Sequence, residues 1–329
     1  MSIANSGFYN QAGLLMLHAS YGFHCRFKRD AILPIYKGST FRGVFGHALK
    51  YIACGLNGQE CKTCLLRSQC IYCHVFETRL AVPVPAGVRL SSPPHPFVIQ
   101  PPDTVQTRFA LNDRFDFFLL LFGEVNYHLP HFISAFARMG KYGVGKKING
   151  QRGSFVLERV TADGRTIYPA DNQLIHGESD IAQLSLNPSS TNDDNISCIE
   201  ISLETPLRLK FANSLVADLP FHILVRAMLR RISALMIFYN GGEPPLDYRG
   251  LTRRAEEKVS IVDSDLHWYK WERYSNRQKQ KMPMGGMIGS VVYKGPMGDF
   301  IPLIRFCEKT HVGKQTAFGL GKISLAKAD

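Results

Sequence analysis

The chain has 329 residues, long enough for two domains of ordinary size, and its 45% hydrophobic residues are enough to form real cores. A formal net charge of +12 at pH 7 favours a polyanionic partner. No apolar run reaches the roughly 18 residues of a membrane span, and the N-terminus lacks the regions of a signal peptide. We therefore expect a cytoplasmic protein with no membrane partner, whose eight cysteines remain reduced.

The first half of the chain has the hydrophobic pattern of one mixed helix and sheet domain. Ser39 or Thr40 can cap a helix whose apolar residues recur at helical spacing. Prolines crowd residues 81–104, which favours an extended segment at a sheet edge. The predicted elements are a strand at 11–28, a helix at 39–52, the extended segment 81–104, a strand at 115–123, a helix at 129–139 and a strand at 154–160.

The second half repeats this order after a polar, turn-rich stretch. The predicted elements are a strand at 197–204, a helix at 219–239, a polar excursion at 240–258, strands at 265–274 and 287–294, a helix at 299–309 and a last strand. Both halves read β-α-β-β-α-β, so the predicted fold is α+β with two tandem ferredoxin-like domains, as in RNA-recognition modules. We predict domains at 1–175 and 197–329, joined by a linker at 176–196.

A basic, glycine-rich segment occurs twice, each time after an amphipathic stretch and before a short strand. The first reads KYGVGKKINGQRGSF (141–155) and the second HVGKQTAFGLG (311–321). Glycines allow the backbone to approach a bulky anion while cations neutralise it. We therefore expect both segments to be loops that contact RNA phosphates through Lys141, Lys146, Lys147, Arg152, Lys314 and Lys322.

Aromatic and basic residues alternate in WYKWERYSNRQKQK (268–281), which contains both tryptophans of the chain. Aromatic faces stack on bases and cations bind phosphates. The other interpretation is an amphipathic hairpin with Trp268 or Trp271 in the core and the lysines in solvent. We expect at least one tryptophan in the core, and RNA contacts from Arg273, Tyr274, Arg277, Lys279 and Lys281.

Five cysteines lie within the insert CGLNGQECKTCLLRSQCIYC (54–73). The C-x2-C pair Cys61 and Cys64 places two thiolates in one turn, and a second pair completes a tetrahedral zinc site. An iron–sulfur cluster is the less favoured metal, and buried free thiols are the alternative without a metal. Spacing alone does not decide between Cys54 and Cys73 as the fourth ligand beside Cys70. A closed four-thiolate site is structural, so no catalytic metal is expected.

No nucleophile elbow, metalloprotease helix, Walker loop or dinucleotide fingerprint is present. Cleavage of RNA needs none of these, because its 2′-hydroxyl can attack the adjacent phosphate while the protein supplies an acid, a base and cations.

His47 is the first candidate for that acid or base. It shares a helix face with Gly43, Gly46 and Lys50, and Lys50 or Arg42 would stabilise the phosphorane. Its alternative is a packing or solvent-facing histidine. His222 is the second candidate, because it lies on one helical face with Arg226 and Arg230, a face that could equally be a domain interface. His74 is the third, and His311 is a candidate phosphate contact.

Several segments together resemble the CRISPR-associated precursor-RNA-processing endoribonucleases of the RAMP superfamily. They are LPIYKGSTFRGVFGHALK, the cysteine block ending in CIYCHVFE, RYSNRQKQKMPMGGMIGSVVYKG and HVGKQTAFGLGKISL. The similarity covers about residues 33 to 325, and the RYSNRQ segment and the last glycine-rich loop are its most specific parts.

The resemblance implies two ferredoxin-like domains that bind CRISPR repeat RNA and cleave it without metal, leaving a 2′,3′-cyclic phosphate and a 5′-hydroxyl. It implies a general base at His47 or His74. It also implies a structural Zn2+ on Cys54, Cys61, Cys64 and Cys70, with Cys73 as an alternative ligand. Other CRISPR effector subunits are possible partners, and DNA is not. The rival hypotheses are a non-catalytic RAMP subunit that holds guide RNA, and a structural RNA-binding protein outside CRISPR.

Overall fold

The computed structural model describes residues 15–56, 59–88, 90, 92–169, 171, 181–186, 196–211, 214–215, 218–275 and 280–327. Within these ranges, no helix combines the length and the hydrophobicity that a membrane span requires.

The first half forms a helix-covered antiparallel sheet. Its elements are β1 (Leu15–Phe27), β2 (Ala31–Ile32), α1 (Gly38–Ala53), α2 (Ile71–Phe76), α3 (Thr78–Ala81), β3 (Phe97–Gln100), β4 (Arg108–Phe109), β5 (Arg114–Phe122), α4 (Leu129–Tyr142), β6 (Val144–Ile148), β7 (Gln151–Gly153), β8 (Phe155–Ala162), β9 (Arg165–Pro169) and β10 (Ala182–Ser185). The main sheet has the order β3-β5-β1-β8-β9, which contains the strand order of a ferredoxin-like domain.

The second half repeats this topology. Its elements are β11 (Cys198–Leu207), β12 (Lys210–Phe211), β13 (Ser214–Leu215), α5 (Phe221–Tyr239), α6 (Tyr248–Lys258), β14 (Ser260–Ser264), β15 (His267–Tyr269), β16 (Glu272–Ser275), β17 (Gln280–Pro283), β18 (Gly286–Lys294), α7 (Ile301–Thr310) and β19 (Ile323–Lys327). The sheet order β14-β18-β11-β19 matches the first domain strand for strand. The predicted α+β fold with two ferredoxin-like domains is confirmed.

Aromatic packing fixes α1 in the first domain. Phe45 of α1 stacks on Phe136 of α4 with ring centroids 4.4 Å apart, and both side chains are fully buried. Phe117 of β5 lies beneath Phe136 at 4.8 Å. Burying each such ring contributes about 1.5–3 kcal/mol, so the opposite face of α1 is held rigidly toward solvent.

The two domains share a continuous core. Met16, Val98, Leu120 and Phe122, from the first sheet, belong to the same buried cluster as the second domain's helices. Arg231 of α5 is buried at this junction; its guanidinium donates to the Thr310 carbonyl (Nη2–O 2.8 Å) and lies 5.6 Å from the Phe122 ring centroid. The domains therefore have one fixed relative orientation.

Three predictions of local structure were wrong. The polar excursion 240–258 contains helix α6, whose N-cap Asp247 accepts a hydrogen bond from the Gly250 amide (2.9 Å). The first glycine segment is the β6–β7 hairpin rather than a loop. The single strand predicted at 265–274 is two short strands, β15 and β16, and the predicted elements omitted β14. Separately, the predicted linker range 176–196 contains β10, which pairs with β1.

Candidate active site

His47 lies on the exposed face of α1. A Cβ built on Gly43, one turn earlier, would meet no atom within 4 Å, so the helix surface beside the imidazole is open there. The expected space at Gly46 is filled, because a Cβ there would lie 3.0 Å from the Phe76 ring. The sequence predicted open space beside His47 at both glycines, but the structure leaves it open only at Gly43.

Lys50 and Tyr51, one helical turn after His47, each take part in a cation–aromatic contact. The Lys50 ammonium lies 5.6 Å from the Tyr72 ring centroid. The Arg138 guanidinium of α4 lies 3.9 Å from the ring centroid of Tyr51, which follows His47 by one helical turn. The sequence analysis missed both Tyr51 and Arg138. The i+4 spacing from His47 could have indicated Tyr51, whereas Arg138 depends on how α4 packs.

Arg42 points into the domain interface. Its Nη2 lies 3.1 Å from His95 Nε2, and its guanidinium lies 4.4 Å from the Phe318 ring centroid and 5.1 Å from that of Phe76. Burial, followed by the charge of Arg42, lowers the pKa of His95 to about 4. Arg42 therefore connects the two domains, and the structure does not bring it to the face that carries His47.

The other candidate histidines occupy three different environments. His74 contacts the Ser68 carbonyl through Nε2 at 2.6 Å. His222 is partly buried on α5, on the helix that carries the exposed Arg226 and Arg230. His311 is fully buried, with Nδ1 3.1 Å from the Leu320 carbonyl, and burial lowers its pKa to about 3. The expectation that His311 touches phosphate was wrong, because RNA cannot reach it.

The cations of the glycine segments differ in exposure. Lys141, Lys146, Lys147 and Arg152 are all exposed around the β6–β7 hairpin. In the second segment Lys314 is exposed. The neighbouring Lys322 is paired with Glu204 at 2.6 Å (Nζ–Oε2), so its charge is already balanced.

The segment of aromatic and basic residues is partly structural. Trp271 packs against Tyr36 with ring centroids 4.7 Å apart, partly buried at the edge of a small buried cluster, whereas Trp268 is exposed. The tryptophan expected in the core is therefore only partly buried. The Arg273 guanidinium lies 4.7 Å from the Phe318 centroid, and burial lowers its pKa. Lys281 is exposed on β17. Tyr274 lies on β16, and Arg277 and Lys279 lie outside the described residues.

Two thiols of the insert, Cys61 and Cys70, lie near Cys73. Its side chain is buried, and burial, then the neighbouring thiols of Cys70 and Cys61, raises the pKa of Cys73. The Cys54 thiol instead donates to the Leu56 carbonyl (3.3 Å). Across the described ranges, no three His, Cys, Asp or Glu side chains are already arranged as a metal-binding group. The donor chemistry suits zinc, but the structure supports Cys73 more than Cys54 as its ligand.

Two family models match different parts of the chain. Residues 201–323 match the family model described as CRISPR-associated endoribonuclease Cas6, and residues 16–180 match a model described as an N-terminal domain. The second half of the chain is therefore similar to the Cas6 family, in agreement with the resemblance seen in the sequence. The chain is also 24% identical over 295 residues to an uncharacterized protein of Archaeoglobus fulgidus, covering 88% of this chain and 91% of that protein.

Solved structures of Cas6 proteins share the fold. Thermus thermophilus Cas6 superposes with a TM-score of 0.52 at 12% identity, over 94% of this chain and 99% of that one. The Cas6 chain of a partial Cas6-RT-Cas1–Cas2 complex superposes with a TM-score of 0.58 at 12% identity, over 96% of this chain. The chain spans about half of the length of that larger protein, 47%. At this identity the similarity supports the fold alone.

Proposed function

We propose that this protein is a Cas6-family endoribonuclease that cleaves CRISPR precursor RNA within its repeats, without metal, by attack of the 2′-hydroxyl on the adjacent phosphate. The products are a 2′,3′-cyclic phosphate and a 5′-hydroxyl end. The observation that carries the proposal is the exposed imidazole of His47 on a rigid helix face opened by Gly43. A general acid or base must be accessible to the substrate, and His47 is exposed on a helix whose opposite face is packed into the core.

His47 and Lys50 divide the chemistry. In its neutral form His47 removes the 2′-proton while the oxygen bonds to phosphorus; in its protonated form it gives a proton to the departing 5′-oxygen. Lys50 lies one turn along the same face and stabilises the negative charge that develops on the phosphorane. Arg42, held by Phe318 and His95, positions the helix rather than the phosphate.

The repeat RNA binds along exposed cations on both halves of the chain. Lys146, Lys147 and Arg152 on the first glycine hairpin, together with Lys314, provide phosphate contacts independent of base sequence. One structure of similar fold is described as a Cas6 product complex, with a TM-score of 0.54 at 12% identity. The description of one similar structure as a partial Cas6-RT-Cas1–Cas2 complex supports other CRISPR proteins as further partners.

Incubation of the purified protein with repeat RNA in EDTA tests the reaction. Cleavage should persist with the chelator and stop when the nucleotide 5′ of the scissile phosphate lacks its 2′-hydroxyl. The upstream product should resist ligation at its 3′-hydroxyl until a phosphatase treatment that acts on the cyclic phosphate has removed the phosphate. A chain that binds the repeat but never cuts it would instead be a non-catalytic subunit that holds guide RNA.

We also propose a structural zinc ion held by Cys61, Cys64, Cys70 and Cys73. When bound, zinc would crosslink the insert through four thiolates and leave no open position for catalysis. The contacts of Cys73 with Cys61 and Cys70 support Cys73 as the fourth ligand in place of Cys54. Elemental analysis should find about one zinc per chain in the Cys54→Ser protein and much less in Cys73→Ser, with a lower melting temperature. If zinc is lost in Cys54→Ser but retained in Cys73→Ser, the fourth ligand is Cys54, as the resemblance in the sequence implies.

A further inference from the structure

A second cationic surface lies on the second domain, in a cleft between α5 and α6. The cleft encloses about 910 Å³. Its exposed or half-buried cations are Arg208, Arg226, Arg230, Arg249, Arg253 and Lys314. None of the arginines in this set is among the RNA contacts expected from the sequence, and four of them come from the two helices.

The arginines form two facing rows. Arg226 and Arg230 are separated by one turn of α5, and Arg249 and Arg253 by one turn of α6, so the members of each pair lie about 6 Å apart along the helix axis. All four are exposed. Two such rows can hold successive charges of a polyanion lying between them.

The charge of the cleft is strongly positive. The buried Arg231 also borders it, which gives seven cations against two carboxylates, Glu243 and Glu256. Glu243 accepts a hydrogen bond from Ser233 Oγ (3.1 Å), which fixes that carboxylate on the cleft wall. The net excess of positive charge favours an anionic ligand whose charges are repeated.

The floor of the cleft is apolar. Ile223, Ala227 and Leu229 of α5 and Leu209 line it, together with the half-buried ring of Tyr248. Cations on the walls with apolar groups and an aromatic ring below them match the phosphates and the sugar and base faces of a single strand. An inorganic anion would use only the walls.

The second glycine segment connects this cleft to the first domain. Gly313 and Lys314, at its start, line the cleft, and the Lys314 amide donates to the Arg208 carbonyl (3.0 Å). Phe318, near its end, accepts a hydrogen bond from the Tyr36 hydroxyl through its carbonyl (2.8 Å). Tyr36 lies two residues before α1 in the first domain, so the second glycine segment joins the wall of the cleft to the first domain.

We propose that this cleft binds a single-stranded stretch of the RNA substrate that flanks the cleaved repeat segment. The proposal rests on the proposed function for the identity of the RNA, but its test measures binding rather than cleavage. RNA is favoured over an acidic protein because the two arginine rows and the apolar floor fit a narrow, regularly charged chain.

The test is charge reversal on one wall of the cleft at a time. Arg249→Glu/Arg253→Glu should weaken binding of a fluorescent single-stranded RNA by about tenfold or more. It should also reduce the slope of log K against log salt by about 1.4, because two phosphates are no longer neutralised. Arg226→Gln/Arg230→Gln, on the opposite wall, should reduce the slope similarly without adding negative charge. Circular dichroism confirms that each variant is folded.

Lys258→Glu/Lys294→Glu is the matched control. Both lysines are exposed in the same domain, lie outside the cleft, and give the same change in net charge as Arg249→Glu/Arg253→Glu. The control should bind RNA within about twofold of the wild type. If the cleft variants match the control in affinity and in salt slope, the inference is overturned and the cleft serves another partner. Cleavage by the wild type is scored separately, so failure of the enzyme proposal leaves this result interpretable.

Discussion

The two glycine segments occupy the same place in the two domains but have opposite surroundings. Each follows the last helix of its domain, α4 or α7, and precedes the last strand of the ferredoxin-like repeat, β8 or β19. The first is a hairpin with four exposed cations around it, and the second buries His311 and Leu320 completely. Similar sequence therefore specifies the same position in the fold, while the packing of one domain on the other decides how much of each segment is exposed to a ligand.

The turns show how the difference arises. Asn149 and Gly150 both have positive φ (49° and 81°), the conformation of a tight hairpin turn that leaves the tip in solvent. Gly319 has φ 86°, and a Cβ there would lie 2.5 Å from the Ile99 carbonyl oxygen of the first domain. One segment thus uses glycine to reverse the chain, whereas the other uses it to allow two domains to meet.

This comparison implies that the catalytic residue lies on the exposed face of α1 and is not His311 of the second segment. His47→Ala should slow single-turnover cleavage by about 10² to 10⁴, the usual loss for a general acid or base, with RNA affinity nearly unchanged. His311→Ala should instead lower the melting temperature. His74→Ala and His222→Ala are further controls, expected to cleave near the wild-type rate. Loss of cleavage in folded His222→Ala but not in His47→Ala would move the site to the second domain.

Replacing one glycine by alanine should destabilise the protein more in the second glycine segment than in the first. Gly319→Ala should lower the free energy of unfolding by about 2–4 kcal/mol, from left-handed strain plus the clash with Ile99. Gly150→Ala meets no neighbour within 4 Å, so strain alone should cost about 1–2 kcal/mol. Urea denaturation monitored by tryptophan fluorescence measures both. Equal losses would show that the second segment is not constrained by the first domain.

Lowering the pH should reduce the stability of the folded protein, in part through the buried His311 of the second segment. The pKa of His311 is about 3 in the folded protein because of burial, against about 6.5 when unfolded. The unfolded chain therefore binds the extra proton first, and stability falls as the pH drops from about 6.5 toward 3. Between pH 7 and pH 5 this histidine alone should account for about 2 kcal/mol. His311→Gln should reduce the difference in unfolding free energy between those pH values by that amount; an unchanged difference would contradict the assignment.

The lysines of the first glycine segment should contribute to RNA affinity and have little effect on stability. Lys146→Glu/Lys147→Glu should weaken RNA binding by about tenfold and reduce the salt slope by roughly 0.7–0.9 for each phosphate that is no longer neutralised. Its melting temperature should stay within about 1–2 °C of the wild type, because both side chains are exposed. Normal affinity and slope, measured beside the Lys258→Glu/Lys294→Glu control, would make the hairpin a purely structural element.

The helices and strands were predictable from the sequence wherever buried apolar residues recur at the spacing of a helix or a strand. Phe41, Phe45 and Ala48 recur at helical spacing and define α1 from sequence alone, since they face one core. Helix α6 was missed because its sequence is mostly charged and buries few apolar side chains, Leu251 and Ala255 among them. Strand β14 was missed because all its residues are exposed.

The surroundings of single side chains were less predictable than the elements that carry them. Arg42 and Arg273 look like RNA contacts in the sequence, yet both lie against the Phe318 ring. His311 reads as a loop residue and is fully buried. In each case the decisive partner comes from a distant part of the chain. The proximity of Cys73 to Cys70 did have a local signal, because the pair begins α2 at an interval of three residues.

The core shared by the two domains limits how the protein can adapt to a flexible RNA. With Phe122 and Arg231 buried together at the junction, the two halves cannot hinge without opening apolar surface to water. The protein therefore acts as a rigid template, and the entropy lost on binding falls mainly on the nucleic acid. Substrates that are already bent or single-stranded along the path between the domains lose less entropy and should bind more tightly than those that must first be unwound.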